Sequence, residues 1–534
     1  MSAALKPQER HVIPRWRDAR TTGQLGELDP SSEKATRIIE GEEFFREKIE
    51  AWNRERTLGI ASDLLGAALV LRKFEEADDA ARYVIASGEK ASAPMRAIAE
   101  RILQIEESIP SDEKPPPSEQ RPLLFRAIRG AREMLRDDPR NAIAWVELAR
   151  AYTSLGVDSK AKRAMHMAVT LADDNRFVLR SASRLAVHVE EKQRAHELLR
   201  RTPATREDPW LLASEIAAAD LNGKTSRFVK RGREMLASAD FSPFHLAELA
   251  TAIGSLELKA GNAKAARKLF QTALRQPTEN SLAQIEWASE RVSGIQIDPQ
   301  QFAIPYSHEA RALYSHSAAD WKRAVAESIK WLADEPFSTH PAVLGSFIAA
   351  EYLEDFSLAQ EICNDGLIAS PSDATLLNNL AFALANEGKL KEAQDTLNLI
   401  PLVGLPTATD ICRDATQGLI AFRQGDHAKG RFYYDGAMSK ADQNQFLSLK
   451  IRAGIHLARE ELEVDTTKAG HVIQDVIKMA KRTKDPDLLG TLERLLDSLL
   501  RHKSRKELDA VITDIRRILK PSKQPLPNPS GVTF

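Results

Sequence analysis

Apolar residues recur along most of the chain at the three- and four-residue spacing of amphipathic helices, and the helices so predicted come in pairs. The clearest pair spans residues 141–174. Trp145, Leu148, Ala149 and Tyr152 share one face of a first helix, Gly156 punctuates, and Ala161, Met165 and Ala168 form the facing stripe of a second. A small residue at Ala149 opposite another at Ala161 predicts close backbone approach, with Trp145 and Tyr152 filling the wedge beside it. The arrangement returns in Gly254, Gly261, Ala266, Phe270 and Pro277, in Trp321, Ala324, Trp331 and Pro336, and in Phe356, Ala359, Cys363 and Pro371. It recurs again in Leu377, Leu380, Ala381, Leu384, Gly388, Ala393 and Leu397, and a further unit supplies Gly418, Gly425, Gly430 and Tyr434. Ala324, Ala359 and Ala393 stay in phase at a period of about 34 residues, which unrelated helices do not do.

The run Trp145-x2-Leu148-Ala149-x2-Tyr152, followed by Ala161-x3-Met165 and Asp173, resembles the tetratricopeptide repeat (TPR) family. Its pattern is W-x2-L-G-x2-Y, then A-x3-F, then P; here Ala149 stands for the Gly, Met165 for the Phe and Asp173 for the Pro. The resemblance covers roughly residues 58–442, with degenerate units between clear ones. It implies an all-α, superhelical α-solenoid of TPR-like helix-turn-helix repeats with helical capping regions, in which each repeat buries its stripe only against its neighbours.

Breaks in the periodicity divide the chain. Residues 1–40 form an N-terminal arm, 41–110 a helical region with a degenerate repeat, and 111–121 a linker carrying Pro115, Pro116 and Pro117. A first array covers 122–293, the stretch 294–304 interrupts it, and a second array covers 305–442. Residues 443–520 stay helical without the motif, and the proline-rich tail 521–534 is expected to be disordered. Within the arm, Val12, Ile13, Pro14, Arg15, Trp16 and Arg17 form an apolar and basic cluster that a purely disordered tail does not need. The first expectation is that Trp16 packs on the end of the array as a cap, and the second is that the cluster is a partner-binding peptide.

Composition narrows function mainly by exclusion. Over 534 residues, Lys+Arg 75 against Asp+Glu 76 gives a formal net charge of −1, so no global field draws the chain to nucleic acid or anionic lipid. Local patches remain: Arg121, Arg126, Arg129, Arg132 and Arg136; Lys224, Arg227, Lys230, Arg231 and Arg233; and Arg501, Lys503, Arg505 and Lys506. Two cysteines, Cys363 and Cys412, are too few for a disulfide framework or zinc cage. No window approaches the ~18 continuous apolar residues of a membrane helix. The expectation is a cytoplasmic protein with no membrane anchor.

No catalytic constellation emerges. The string Ala218-Ala219-Asp220-Leu221-Asn222-Gly223-Lys224-Thr225 fits a relaxed phosphate-loop expression, but a repeat's first helix precedes it where that loop needs a strand. The pairs His188/His196 and His308/His316 come with no metal-ligand spacing. The reading is a non-enzymatic protein with no cofactor and no metal.

In the TPR family the first helices of successive repeats line a concave groove that holds a peptide or helix. Carried over residue by residue, Asn379 matches the family's recurrent groove asparagine, and Asn378, Phe382 and Asn386 share its surface. The neighbouring units add Tyr352 on one side and Phe422 and Arg423 on the other, while Arg150 and Trp16 complete the partner-binding candidates. Trp145, Ala149, Tyr152, Gly156 and Ala161 are structural. The carboxylate clamp of chaperone-binding members is absent, since Val146 and Arg150, Thr251 and Ser255, and Glu309 and Leu313 hold its positions. The expected function is a protein–protein interaction scaffold binding a partner peptide or helix in its groove. The alternative is a regulatory or RNA-associated solenoid using the basic helix faces.

Overall fold

The structure is a computed structural model that describes residues 10–25, 38–71, 73–91, 93–103, 114–238, 240–464, 466–481 and 487–501, with positions 513 and 515. The tail 521–534 and the basic residues Lys503, Arg505 and Lys506 lie outside the described residues. All the regular structure among those described is helical, without a strand. An extended segment, 10–18, leads into helix α1 (Ala19–Leu25). Helices α2 (Ile38–Arg54), α3 (Leu58–Leu71), α4 (Asp78–Ala86) and α5 (Ala93–Ile102) share a core built on Phe45, Trp52, Leu64, Leu65, Ala81 and Val84.

The array opens with α6 (Pro117–Asp137) and continues in antiparallel pairs. These are α7 (Ala142–Ser154) with α8 (Asp158–Leu171), α9 (Arg176–His188) with α10 (Lys192–Arg201), α11 (Pro209–Leu221) with α12 (Val229–Ala237), and α13 (Pro243–Lys259) with α14 (Ala263–Ala273). Helix α15 (Glu279–Ser289) has no second helix; residues 290–307 carry only a 3-10 turn at Pro299–Ala303. Pairing resumes with α16 (His308–Ser317) and α17 (Trp321–Asp334), α18 (Thr339–Glu351) and α19 (Phe356–Ala369), α20 (Ala374–Asn386) and α21 (Leu390–Asn398), and α22 (Thr407–Arg423) and α23 (His427–Gln443). Helices α24 (Leu447–Val464), α25 (Thr466–Ala480) and α26 (Asp487–Arg501) follow around Ile455, Leu462, Ile473 and Leu492.

The sequence sets these starts locally. Asn141, Asp208, Asp320, Asp355, Asp373 and Asp426 each accept a backbone N–H of the first turn of the helix they precede. Thr278 forms a reciprocal capping box with Ser281. Burial then separates two layers. The first helices are buried on nearly every face, as α11 is from Pro209 through Ala219, whereas second helices bury one stripe, such as Ala161, Ala164, Met165 and Ala168 on α8. A helix apolar all round belongs inside and an amphipathic one outside. First helices therefore form the inner wall and second helices the outer.

The winding brings the start of the array onto its later turns. The Ser118 N–H donates to Asp365 Oδ1 at 3.1 Å, and Phe337 and Ala369 join the core that holds Ala149, Ala161, Met165 and Phe177. At Gly156 this packing brings backbone close to backbone. The glycine's φ is +69°, and a Cβ there would lie 2.7 Å from the Ile368 carbonyl oxygen, backbone that cannot swing away. Gly156→Ala is thus expected to cost about 1–3 kcal/mol, more than a left-handed glycine facing solvent. Chemical denaturation of that variant beside Gly261→Ala, whose Cβ meets nothing, checks the difference.

Candidate functional site

The inner channel is occupied by the chain's own arm. Residues 10–18 run extended, with Val12, Pro14 and Trp16 buried and the residues between them partly exposed, the two-residue alternation of an extended segment. The channel holds this segment as a groove holds a peptide. Asn280 Nδ2 donates to the Ile13 carbonyl at 3.0 Å and Gln284 Nε2 to the Arg10 carbonyl at 2.8 Å, both from α15. At the far end the Ala19 N–H donates to Glu147 Oε1 at 2.8 Å. Asp18 accepts the Thr21 N–H at 2.8 Å and so starts α1.

Side chains supply the selectivity. Arg10 forms a bidentate pair with Glu309, Nε at 2.9 Å and Nη2 at 2.7 Å, and also donates to Gln284 and Asn280. Arg15 sits among Glu279, Glu309 and Glu335. Arg17 reaches Asp334 through Nε and Nη2, the latter at 2.7 Å, and Glu279 through Nη1 at 2.9 Å. Its guanidinium lies 4.6 Å from the centre of the Tyr306 ring. Lys114 adds a 2.8 Å contact to Asp334. Val12 enters the core of Leu212, Ile216, Phe228 and Leu249, and Trp16 meets Phe337 at 5.4 Å between ring centres.

Desolvation opposes every charge here, and the partners overcome it. Burial alone would raise Glu309, but Arg10 and Arg15 hold its carboxyl well below the usual carboxylate range. Burial would likewise raise Asp334, and Arg17 and Lys114 hold it equally low. Arg15 loses solvation, yet Glu335, Glu309 and Glu279 push its pKa above the ordinary arginine value. Taking a charge from water costs several kcal/mol per ion, so these groups stay buried and charged only because bidentate partners face them.

Two of the sequence candidates converge on this channel. Trp16 lies inside the solenoid, between the first helices and Phe337, and not on its end: the apolar corner that accepts it exists only where the turns of the superhelix meet. Arg150 projects from α7 toward Asp18 and Glu147, and their charges, against the cost of burial, raise its pKa. The other candidates lie elsewhere. Asn378 and Asn379 are fully buried on α20, where Asn378 accepts from Thr416 on α22 at 2.9 Å and Asn379 donates to Ser346 on α18 at 3.1 Å. They tie neighbouring inner helices together instead of facing an open groove, which corrects the expectation that they await a peptide backbone.

That stretch of the inner wall is covered by α24. His456 contacts Glu351 at 2.8 Å and packs edge-on to Phe382, and the Arg452 guanidinium lies 4.6 Å from the Phe347 ring centre. Burial would raise Glu351, but contact with His456 and the charge of Arg452 hold it at about 2. Tyr352 packs on Trp321 and Phe347. Phe422 lies against His427 and Tyr434, Asn386 donates to the Phe382 carbonyl, and exposed Arg423 pairs with Glu460. All are thus committed to contacts within the chain. The carboxylates Glu279, Glu309, Asp334 and Glu335, which build the channel, escaped sequence reasoning, because helical periodicity assigns isolated charges to a solvated face. The available signal was the three arginines spaced along an apolar arm.

The 218–225 string is the end of α11 and its turn, where the Lys224 N–H donates to the Ala219 carbonyl. His196 and His308 contact Glu215 and Glu327, and the described residues hold no cluster of three metal-ligating side chains. Burial pushes the Cys363 thiol up to about 12 and the Cys412 thiol up to about 11. Among the described residues no helix is long and apolar enough to cross a membrane.

No protein-family model matches the chain, and no curated protein matches it. Among solved structures it is similar to the yeast Tom70 crystal structure, at 11% identity over 86% of this chain and 95% of that one, with a TM-score of 0.28. The helix pairs themselves make the described residues an all-α helical solenoid.

Proposed function

We propose that this protein is a non-enzymatic interaction scaffold whose inner channel recognises an extended basic–aromatic peptide, and that residues 10–18 are its resident occupant. One observation supports this reading above the others. The channel binds the arm's backbone carbonyls through Asn280 and Gln284 and its arginines through the carboxylates of α15, α16 and α17, so it distinguishes both an extended backbone and a charge pattern. A partner segment of the same character would engage by exchanging with the arm. Arg150, Phe337 and the carboxylates Glu279, Glu309, Asp334 and Glu335 then form the site, and Trp16 belongs to the occupant.

A labelled peptide of residues 10–20 tests the exchange. Wild-type protein should bind it weakly, because the tethered arm competes at an effective concentration on the order of millimolar. Full-length protein carrying Arg15→Ala and Trp16→Ala should bind it saturably and at least ten-fold tighter, with anisotropy as the readout. A peptide carrying Arg15→Glu and Arg17→Glu should not bind. Equal binding of a scrambled peptide of the same composition would count against a sequence-reading channel.

A further inference from the structure

The outer wall carries a second surface, of opposite charge to the channel. Between α6 and α8, floored by α7, lies an open groove of about 790 Å³. Arg132, Arg136, Lys160, Lys162 and Arg163 line it together with His166, and no carboxylate does. Of these five cations only Lys162 makes an ion pair among the described residues, with Glu191 at 2.6 Å. Arg132 is held by the Tyr152 hydroxyl, and Lys160 lies 5.6 Å from the centre of the same ring. Trp145 and Tyr152 form the aromatic floor.

The positive surface extends along α6 beyond the groove. Arg121, Phe125, Arg129, Arg132 and Arg136 fall on one face of the helix by their spacing, a stripe about 22 Å long. All are exposed, Phe125 by about half its surface. Glu133 stands on the flank of this stripe and does not line the groove. A row of cations longer than any single side chain suits a repeating polyanion better than a point charge, and an aromatic within the row adds a face on which a base can stack. The near-zero net charge hides this surface, because it is a sum over the whole chain in which carboxylates elsewhere offset a local cluster of cations.

We infer that the α6–α8 groove binds single-stranded nucleic acid, with Arg132, Arg136, Lys160 and Arg163 on its phosphates and Phe125 and Trp145 offered to its bases. This site is separate from the arm channel and stands or falls independently of it. The test uses full-length protein and a fluorescent 20-nucleotide oligouridylate RNA. Anisotropy should show binding that weakens with salt, with a log–log slope near −3, the value for about four neutralised phosphates on a single strand. Arg136→Glu, Lys160→Glu and Arg163→Glu together change only exposed side chains, so the fold should persist by circular dichroism while affinity falls at least ten-fold and the slope flattens. A control with the same change in net charge, Lys268→Glu, Lys391→Glu and Lys429→Glu, should bind as wild type does. The inference is overturned if RNA binding lacks salt dependence, if the control loses affinity equally, or if a polyglutamate peptide of similar length binds as tightly as the RNA.

Discussion

Replacing Arg10, Arg15 and Arg17 together by methionine should destabilise the protein by more than about 5 kcal/mol at pH 7. Removing one partner of a buried pair costs about 3–5 kcal/mol because the other charge is stranded, and the three sites share partners, so their costs do not simply add. Glu279, Glu309, Asp334 and Glu335 would remain buried, with Lys114 on Asp334 and Arg184 3.9 Å from Glu335 as the residual compensation. The sign of the pH dependence should also reverse. In the wild type, Glu309 and Asp334 ionise at lower pH when folded than when unfolded. Their contribution is therefore fully present above the unfolded carboxylate value of about 4 and is lost as pH falls below it toward their folded values. In the triple variant, burial without cations raises the folded values, so stability should increase as pH is lowered from 7 toward 5. Melting temperatures at pH 7, 6 and 5 measure both effects. Parallel pH profiles, or an unchanged midpoint at pH 7, would contradict the assignment of the arm as the counter-charge of the channel.

Ala161→Asp is expected to produce the other large loss, about 4 kcal/mol or more, by burying an unpaired carboxylate in the close contact between α7 and α8. Ala161 and Ala149 are both fully buried and belong to one core with Met165, Phe177 and Trp16. The distribution of the damage is the informative part. A solenoid sums nearest-neighbour interfaces, so hydrogen exchange should accelerate first in α6–α9 and leave α22 and α23 near their wild-type protection. Because Phe337 and Ala369 share the same core, exchange should also rise in α19 and in the arm. A native melting curve would refute the packing, and equal acceleration in α22 and α23 would refute the local accounting.

The repeat was legible because its cause is local. Small residues at Ala149 and Ala161 allow two backbones to approach, Gly156 permits the left-handed turn between them, and Asn141 caps the first helix, all within one short stretch of chain. The starts at Asp320, Asp355 and Asp373 are likewise set by local caps. The interruption at 294–304 was also visible as a break in the repeat period. Its role was not: Tyr306, in the irregular stretch 290–307 around it, covers both Arg17 and Lys114.

The binding surfaces were much less legible. Asn379 has the sequence position of a groove residue, and on a shallow superhelix it would face solvent. Here α24 returns across that wall, and the asparagine instead bonds to Ser346. Arg150 lies on an inner helix near the start of the array, where the arm ends.

By itself, then, the sequence determined the helix pairs, their phase and the layer each helix joins, since those follow from side-chain volume and periodicity over tens of residues. Only the tertiary structure decided what fills the channel, because Arg10 and Glu309, or Arg17 and Asp334, are joined across most of the array. Nothing in local spacing encodes such pairs. They form because winding the solenoid brings distant carboxylates around one channel, where charges removed from water require a counter-charge, and the arm supplies it.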